Sequence, residues 1–368
     1  MRSMTIDGVT LQYPDALGFV FNPVLFVCED CKRMRVRGWC DGLQGQAFYD
    51  ADANGKVYAD FQSFSQALFG SIEFEQSVPQ VITNTQLGKT FAYNVQVTLN
   101  DDTTVSFLNL YVFTIWGAMA PTGRDVFNGE RRVKVWRNYP FAFGLYANGN
   151  SGTLLFKADG SFTPQTVSLP QTQGMYSVPV DALPSGASTL EVYDYAGVLQ
   201  QATFDFTFDF TFYLNTNTPM TKIMQMDVES CQPQDFDKHV YLRWVNRHGF
   251  YCYWLFEKKT EQRKVSAVMD MSRPELEGYT IAHGYQRGAG RRAAYSREDI
   301  LPVCAPMVDA LQYDYLFDIA TSPVVDMYSG DGVWVAVNAQ AGTYQMGSAE
   351  LQDFVVNIKL PTIPIQRL

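Results

Sequence analysis

The residues with the most chemical potential are few and scattered. Cys28 and Cys31 stand as C-E-D-C, and Cys40 follows nine residues later. A zinc site takes four ligands, and no histidine lies near these three. "CEDCKR" sits between two strand-like runs and reads as a hairpin turn. Asp205 and Asp209 alternate with five phenylalanines in "ATFDFTFDFTFYLN", residues 202–215. Strand residues four apart on one face lie roughly 13 Å from each other. Calcium gathers its oxygens within about 5 Å, and glycosidase carboxylates stand about 5–9.5 Å apart. The two aspartates therefore serve neither chemistry as a pair. They read as charges that keep a sticky strand soluble. Glu73 and Glu75 flank Phe74 in "SIEFEQ", a pattern that suits sheet carboxylates of a sugar cleft but suits a solvated strand face better. His248 and Cys252 are a thiol and an imidazole four residues apart. Cys252 shares its face with Trp254, however, and a thiol buried among rings is inert.

The third group is basic. Arg287, Arg291 and Arg292 in "QRGAGRR" have the composition of a phosphate loop, but no Walker lysine accompanies them. They read as an interface loop that meets an acidic neighbour. The chain has no G-x-x-x-x-G-K-[ST], no G-x-S-x-G and no H-E-x-x-H. The expectation is a non-enzyme with no cofactor and no metal.

Charge is unevenly placed. The chain has 368 residues and a formal charge of −10. Lys238 to Arg297 holds 12 basic and 5 acidic residues, a local +7, and the remainder carries −17. An acidic body with one basic segment does not describe a general nucleic-acid binder. It fits an assembly in which unlike patches meet. The first residues lack the apolar core of a signal peptide, and no apolar run approaches 18 residues. These features predict neither export nor membrane insertion.

The elements that would carry these residues are mostly strands. Aromatics make up 14% of the chain, and short alternating apolar runs recur between Gly, Asn and Asp turns. The pattern predicts a mostly β chain of two or three tandem β-sandwich or barrel-like domains with one or two short helices. The first domain spans 1–130. It holds a short helix over 61–69, with Asp60 as N-cap, Phe61, Phe64 and Leu68 on one face, and Gly70 as its stop. The second, 136–218, is a sandwich with a hairpin turn at Asp159-Gly160. The third, 219–368, has a turn at His248-Gly249, the basic loop, a helix within Ser296–Ala320 starting near Pro302, and an extended end, "KLPTIPIQRL".

Four stretches carry a resemblance: "DGVTLQYPDALGFVFNPVLFV", "NGKVYADFQSFSQALF", "RRVKVWRNYPFAFGLY" and "VYLRWVNRHGFYCYWLFE". "SREDI", "SPVVDMY" and "NIKLP" follow the last of them. With these the chain resembles β-rich virion proteins from the tail regions of phages and prophages of gut Bacteroidota, of distal-tail or baseplate type. The resemblance implies a non-catalytic homo-oligomer, made in the host cytoplasm and built into the virion tail as a ring beside other tail proteins. A rival reading of the residues is a glycan-binding or adhesive β-module, at a tail tip for example. A carbohydrate-active enzyme comes third.

Overall fold

The structure is a computed structural model. It describes residues 1–70, 72, 82–83, 87–118, 132–148, 153–169, 173–180, 187–195, 211–213, 219–229, 236–271, 291–344, 347 and 349–361. The chain is mostly β, as its alternating patterns require, and it divides into two compact units. Unit 1 comprises Met1–Gln234 with Val245–Tyr253, and unit 2 comprises Asp235–Trp244 with Trp254–Leu368.

Unit 1 begins with β1 (Arg2–Ile6), β2 (Val9–Tyr13), β3 (Leu17–Phe19), β4 (Leu25–Cys28), β5 (Cys31–Cys40), β6 (Leu43–Asp50) and β7 (Val57–Asp60). Helix α1 (Gln62–Phe69), β8 (Ile82–Thr83), β9 (Gly88–Leu99) and β10 (Thr104–Ile115) follow. Strands β1-β2-β4-β7 form one sheet and β3-β10-β9-β5-β6 another. Their inward residues share one core, including Leu11, Phe26, Met34, Val36, Phe91, Val95 and Phe107. Two sheets that each bury one face against the other make a sandwich.

Helix α1 closes onto this core at the expected place. Asp60 Oδ1 accepts from the Gln62 and Val24 amides, at 2.9 and 3.1 Å, so it anchors the entry from one residue before the N-cap position. Phe61 and Leu68 are buried, whereas Phe64 is 39% exposed and stacks on Phe61 at 4.8 Å. Gly38 makes room for the ring cluster. A Cβ there would stand 2.9 Å from both the Phe61 and the Tyr93 rings. The Tyr93 hydroxyl meets Ser65 Oγ at 3.1 Å, so its polar end is satisfied inside the core.

The rest of unit 1 contains β11 (Arg132–Trp136), β12 (Ala142–Asn148), β13 (Thr153–Ala158), β14 (Ser161–Ser168), β15 (Gln173–Pro179), β16 (Thr189–Tyr195), β17 (Thr211–Tyr213) and β18 (Pro219–Glu229). One sheet runs β11-β18-β16-β13-β14 with β17 beside β18, and another runs β12-β15-β8. The expected hairpin joins β13 to β14 through Asp159 and Gly160, both at positive φ (45° and 83°). Of the phenylalanine strand only Thr211–Tyr213 is described; Phe204 to Phe210, Asp205 and Asp209 included, lie outside the described residues, as do Glu73 and Glu75.

Unit 2 is a barrel. Its strands are β19 (His239–Val245), β20 (Tyr251–Lys258), β21 (Gln262–Met271) and β22 (Arg291–Val308), then helix α2 (Ala310–Thr321), β23 (Val325–Gly330), β24 (Val333–Ala339) and β25 (Gln352–Lys359). The order β20-β19-β23-β24-β25-β22 closes on itself where Glu257 and Lys258 pair with Cys304 and Val303. Closure removes the sheet edges that would otherwise invite other strands. Strand β21 lies outside the ring, on β22.

Two expectations for this region are corrected. The stretch from Ser296 to Val308 is strand, not helix, and Pro302 sits inside β22 opposite Asn357. Ile300, Leu301, Val303 and Cys304 are all buried, and an apolar run of this kind does not distinguish a two-faced buried strand from a helix by period. The helix starts later, at Ala310. Its signal is Asp309, whose carboxylate accepts from the Gln312 amide at 2.8 Å in a reciprocal capping box. Tyr313, Leu316 and Ile319 form its buried face. The second correction concerns the basic loop: Arg291 and Arg292 are strand residues, opposite Met271 and Asp270 of β21. Arg287 lies outside the described residues.

Candidate interaction surfaces

Among the described residues, Cys28, Cys31 and Cys40 gather no metal site. The C-E-D-C turn is not a hairpin: β4 belongs to the four-stranded sheet and β5 to the five-stranded one, so Glu29 and Asp30 turn the chain from one layer to the other. Asp30 takes φ 54° to do so. Both thiols are buried, and Cys31 Sγ donates to the Cys28 carbonyl at 3.6 Å. Burial, with the Cys31 sulfur beside it, pushes the Cys28 thiol up to about 12. Cys40 ends the same strand that Cys31 begins, roughly 30 Å away, so the three cannot share an ion. Among the described residues no group of three His, Cys, Asp or Glu is placed to hold a metal. His248 and Cys252 are both buried, His248 in the turn where the Gly249 amide donates to the Asn246 carbonyl at 3.0 Å.

Two surfaces stand out instead. The first is a ribbon on unit 2. From Gln262 to Val268 every residue of β21 is exposed, on both faces of the strand. Among the described residues, β22 from Arg291 to Glu298 has only β21 beside it: β25 joins it from Ile300, and the Leu360 amide just beyond β25 donates to the Asp299 carbonyl at 2.9 Å. The result is a two-stranded extension beyond the barrel wall. Val265 and Val268 are 61% and 62% exposed there, and Tyr295 is 43% exposed. Its base is tied by charges. Arg297 forks onto Asp299 with two bonds of 2.7 Å, and Glu298 receives Lys359 at 2.9 Å. Lys359 foremost, with Lys264 at 3.8 Å, holds the Glu298 carboxyl below its ordinary range.

The second is the outer face of the five-stranded sheet in unit 1. In "CKRMRVRGWC" Met34, Val36 and Cys40 point into the core, so Arg33, Arg35 and Arg37 point out, about 6.7 Å apart. The neighbouring strands place amides and a ring beside them. Arg35 lies between Phe48 of β6 and Gln96 of β9, and Arg37 between Gln46 and Asn94. Arg33 is neutralised by Asp50, Nε to Oδ1 2.6 Å, which also lowers the Asp50 carboxyl. Arg35 and Arg37 differ. Their side chains donate to the amide oxygens of Gln46 (2.6 Å) and Gln44, and among the described residues neither makes an ion pair. Two positive charges are thus presented without compensation.

Beside them β10 bulges between Phe107 and Leu110, with Asn109 at φ 58° donating its amide to Asn94 Oδ1 at 2.9 Å. A bulge re-aims side chains, and here Leu108 turns outward. It frames a depression of about 140 Å³ with Arg35, Arg37, Asn94, Gln96 and Ser106. The R-x-R-x-R alternation marks this face in the sequence, although the uneven charge distribution pointed to residues 238–297 instead. In unit 2 an open cleft of about 690 Å³ is lined by Lys258, Lys259, Glu261, Leu301, Met327 and Leu360 among others. Lys259 and Glu257 pair there at 3.6 Å, and Lys258 donates to the Phe236 carbonyl, so opposing charges largely spend themselves on each other.

No protein-family model matches this chain, and neither does any curated protein. Among solved structures it is similar to the fibronectin(III)-like modules of CbhA from Clostridium thermocellum, with 10% identity, 60% of this chain and 94% of that one covered, and a TM-score of 0.18. It is also similar to a 1.5-MDa bacterial ice-binding adhesin, with 8% identity, 81% and 90% covered, and a TM-score of 0.16. Similarity this distant carries no argument about function, which rests on the chain's own surfaces.

Proposed function

We propose that this protein is a non-enzymatic structural subunit of a bacteriophage tail or baseplate that assembles with copies of itself into a ring. The supporting observation is the β21–β22 ribbon. A two-stranded ribbon in water is marginal by itself, and this one exposes valines and a tyrosine where a solvated ribbon would carry polar groups. It lies in the segment of local charge +7, in a chain of −10. Such an arm finds its complement on the acidic body of the next copy. A contact between unlike patches is heterologous and closes into a ring when its rotation permits. Arg291 and Arg292, placed on this ribbon, remain interface residues in this reading, and Arg287 stays with them from sequence. The sequence resemblance supplies the virion setting, including assembly in the host cytoplasm. Among the described residues no helix is long and apolar enough to cross a membrane.

The test is the native mass by light scattering, with negative-stain images, for the wild type and for a Val265→Ser, Val268→Ser, Tyr295→Ser variant. A ring of fixed subunit number that the variant cannot form, with unchanged circular dichroism, is the expected result. A wild type that stays monomeric at high concentration overturns the proposal. Glutamate at Arg287, Arg291 and Arg292 tests the charge component; unchanged assembly removes those residues from the interface. The second reading, a glycan-binding module, is favoured by one feature, the face around Arg35 and Arg37.

A further inference from the structure

We infer that the outer face of the five-stranded sheet, centred on Arg35 and Arg37, is a binding site for an acidic polysaccharide, one carboxylate of which seats in the depression between the two arginines. This site lies on unit 1 and is independent of the assembly reading.

Three observations carry it. The guanidiniums of Arg35 and Arg37 are held by neutral amides rather than carboxylates, so their charge is ordered and uncancelled. Their geometry is fixed from both sides by the register of β5 with β6 and β9. Second, Arg35 Nε is buried and has no hydrogen-bond partner among the described residues. A buried donor left without an acceptor is costly, and a native protein normally supplies one. Arg35 lines the depression, and a turn of its side chain toward an acceptor seated there would give that nitrogen a partner. A carboxylate also suits the fork of a guanidinium, which it meets with two parallel bonds.

Third, the surroundings select among anionic partners. Gln44, Gln46, Asn94 and Gln96 flank the arginines, and Ser106 adds a hydroxyl. Amides both donate and accept, which matches the adjacent hydroxyls of a sugar. The exposed Phe48 ring and Leu108 give flat apolar surface for the carbon face of a pyranose. An acidic protein face would use the arginines but leave the four amides without hydroxyl partners. The depression, at about 140 Å³, holds only a few waters' worth of volume at ~30 Å³ each, which suits one polar group inserted from a chain lying across the sheet.

The experiment measures binding of the full chain to polygalacturonate, dextran sulfate and neutral dextran by isothermal titration at two salt concentrations. The expected result is binding to polygalacturonate that weakens with salt, and none to dextran. Arg35→Gln with Arg37→Gln is expected to weaken binding at least tenfold, whereas Arg33→Gln, already neutralised by Asp50, changes it less than threefold. Native mass is read on the same samples and stays unchanged in the variants. Equal binding by wild type and the double variant, equal binding to dextran, or a preference for sulfate over carboxylate overturns the inference. So does a double variant whose only change is in subunit number, which would make this face a protein contact. Failure of the ring assembly leaves this test untouched.

Discussion

Replacing Arg243 with methionine should destabilise unit 2, and a second substitution should repair it. Arg243 Nε donates to Asp326 Oδ2 at 2.8 Å, with only 6% and 11% of the two side chains exposed, and the residues face each other across β19 and β23. The guanidinium also lies 4.3 Å from the centre of the Trp334 ring. Methionine fills similar volume but removes the charge beside a buried carboxylate. Removing one partner of a buried pair costs about 3–5 kcal/mol. The lost ring contact adds about 1–2 kcal/mol. Urea unfolding followed by tryptophan fluorescence should therefore show a deficit of about 4–7 kcal/mol. Adding Asp326→Leu to Arg243→Met should recover most of the deficit, because a packed apolar pair replaces a broken ionic one. A deficit below about 1 kcal/mol, or a double variant as weak as the single one, would show that this pair does not hold unit 2 together.

Further outcomes follow from single contacts. Gly144→Ala would put a Cβ 2.1 Å from Phe250 Cδ1, so it should destabilise unit 1 by about 1–3 kcal/mol or more, read as a lower melting temperature with an intact ellipticity spectrum. Asp159 accepts from the amides and hydroxyls of Ser188 and Thr189, backbone bonds foremost, and its carboxyl falls to about 2. Its stabilisation is present above the unfolded value near 3.8 and is lost as pH falls toward 2. Asp159→Ala should flatten that part of the wild-type acid-unfolding curve. Asp309→Ala removes the capping box of α2 and should cost about 0.5–2 kcal/mol in urea unfolding. Native protein should react slowly with a thiol reagent at pH 8, since burial holds Cys28 near 12 and Cys40 near 11; fast labelling of either would contradict their placement.

The alternation of side chains was enough to establish the β character of this chain, because strand period is local. It gave the turn at Asp159-Gly160 and the short helix after Asp60. It found a helix within Ser296–Ala320 but started it near Pro302, where a buried apolar run has no diagnostic period and only the pairing of β22 with β25 selects strand as far as Val308. It also could not place the candidate sites. "CKRMRVRGWC" shows three arginines on one face, but whether their charge is cancelled depends on what stands opposite. The register put Asp50 beside Arg33, and the side chains settled on Gln46 for Arg35 and Gln44 for Arg37. Likewise the valines of β21 read as ordinary sheet residues. Only the strand order puts β21, among the described residues, at the end of its sheet beside β22, with both faces exposed from Gln262 to Val268. Composition and period are properties of one segment, whereas register and strand order arise from contacts between distant segments, and these decided which of the chain's residues stand exposed and which charges stand together.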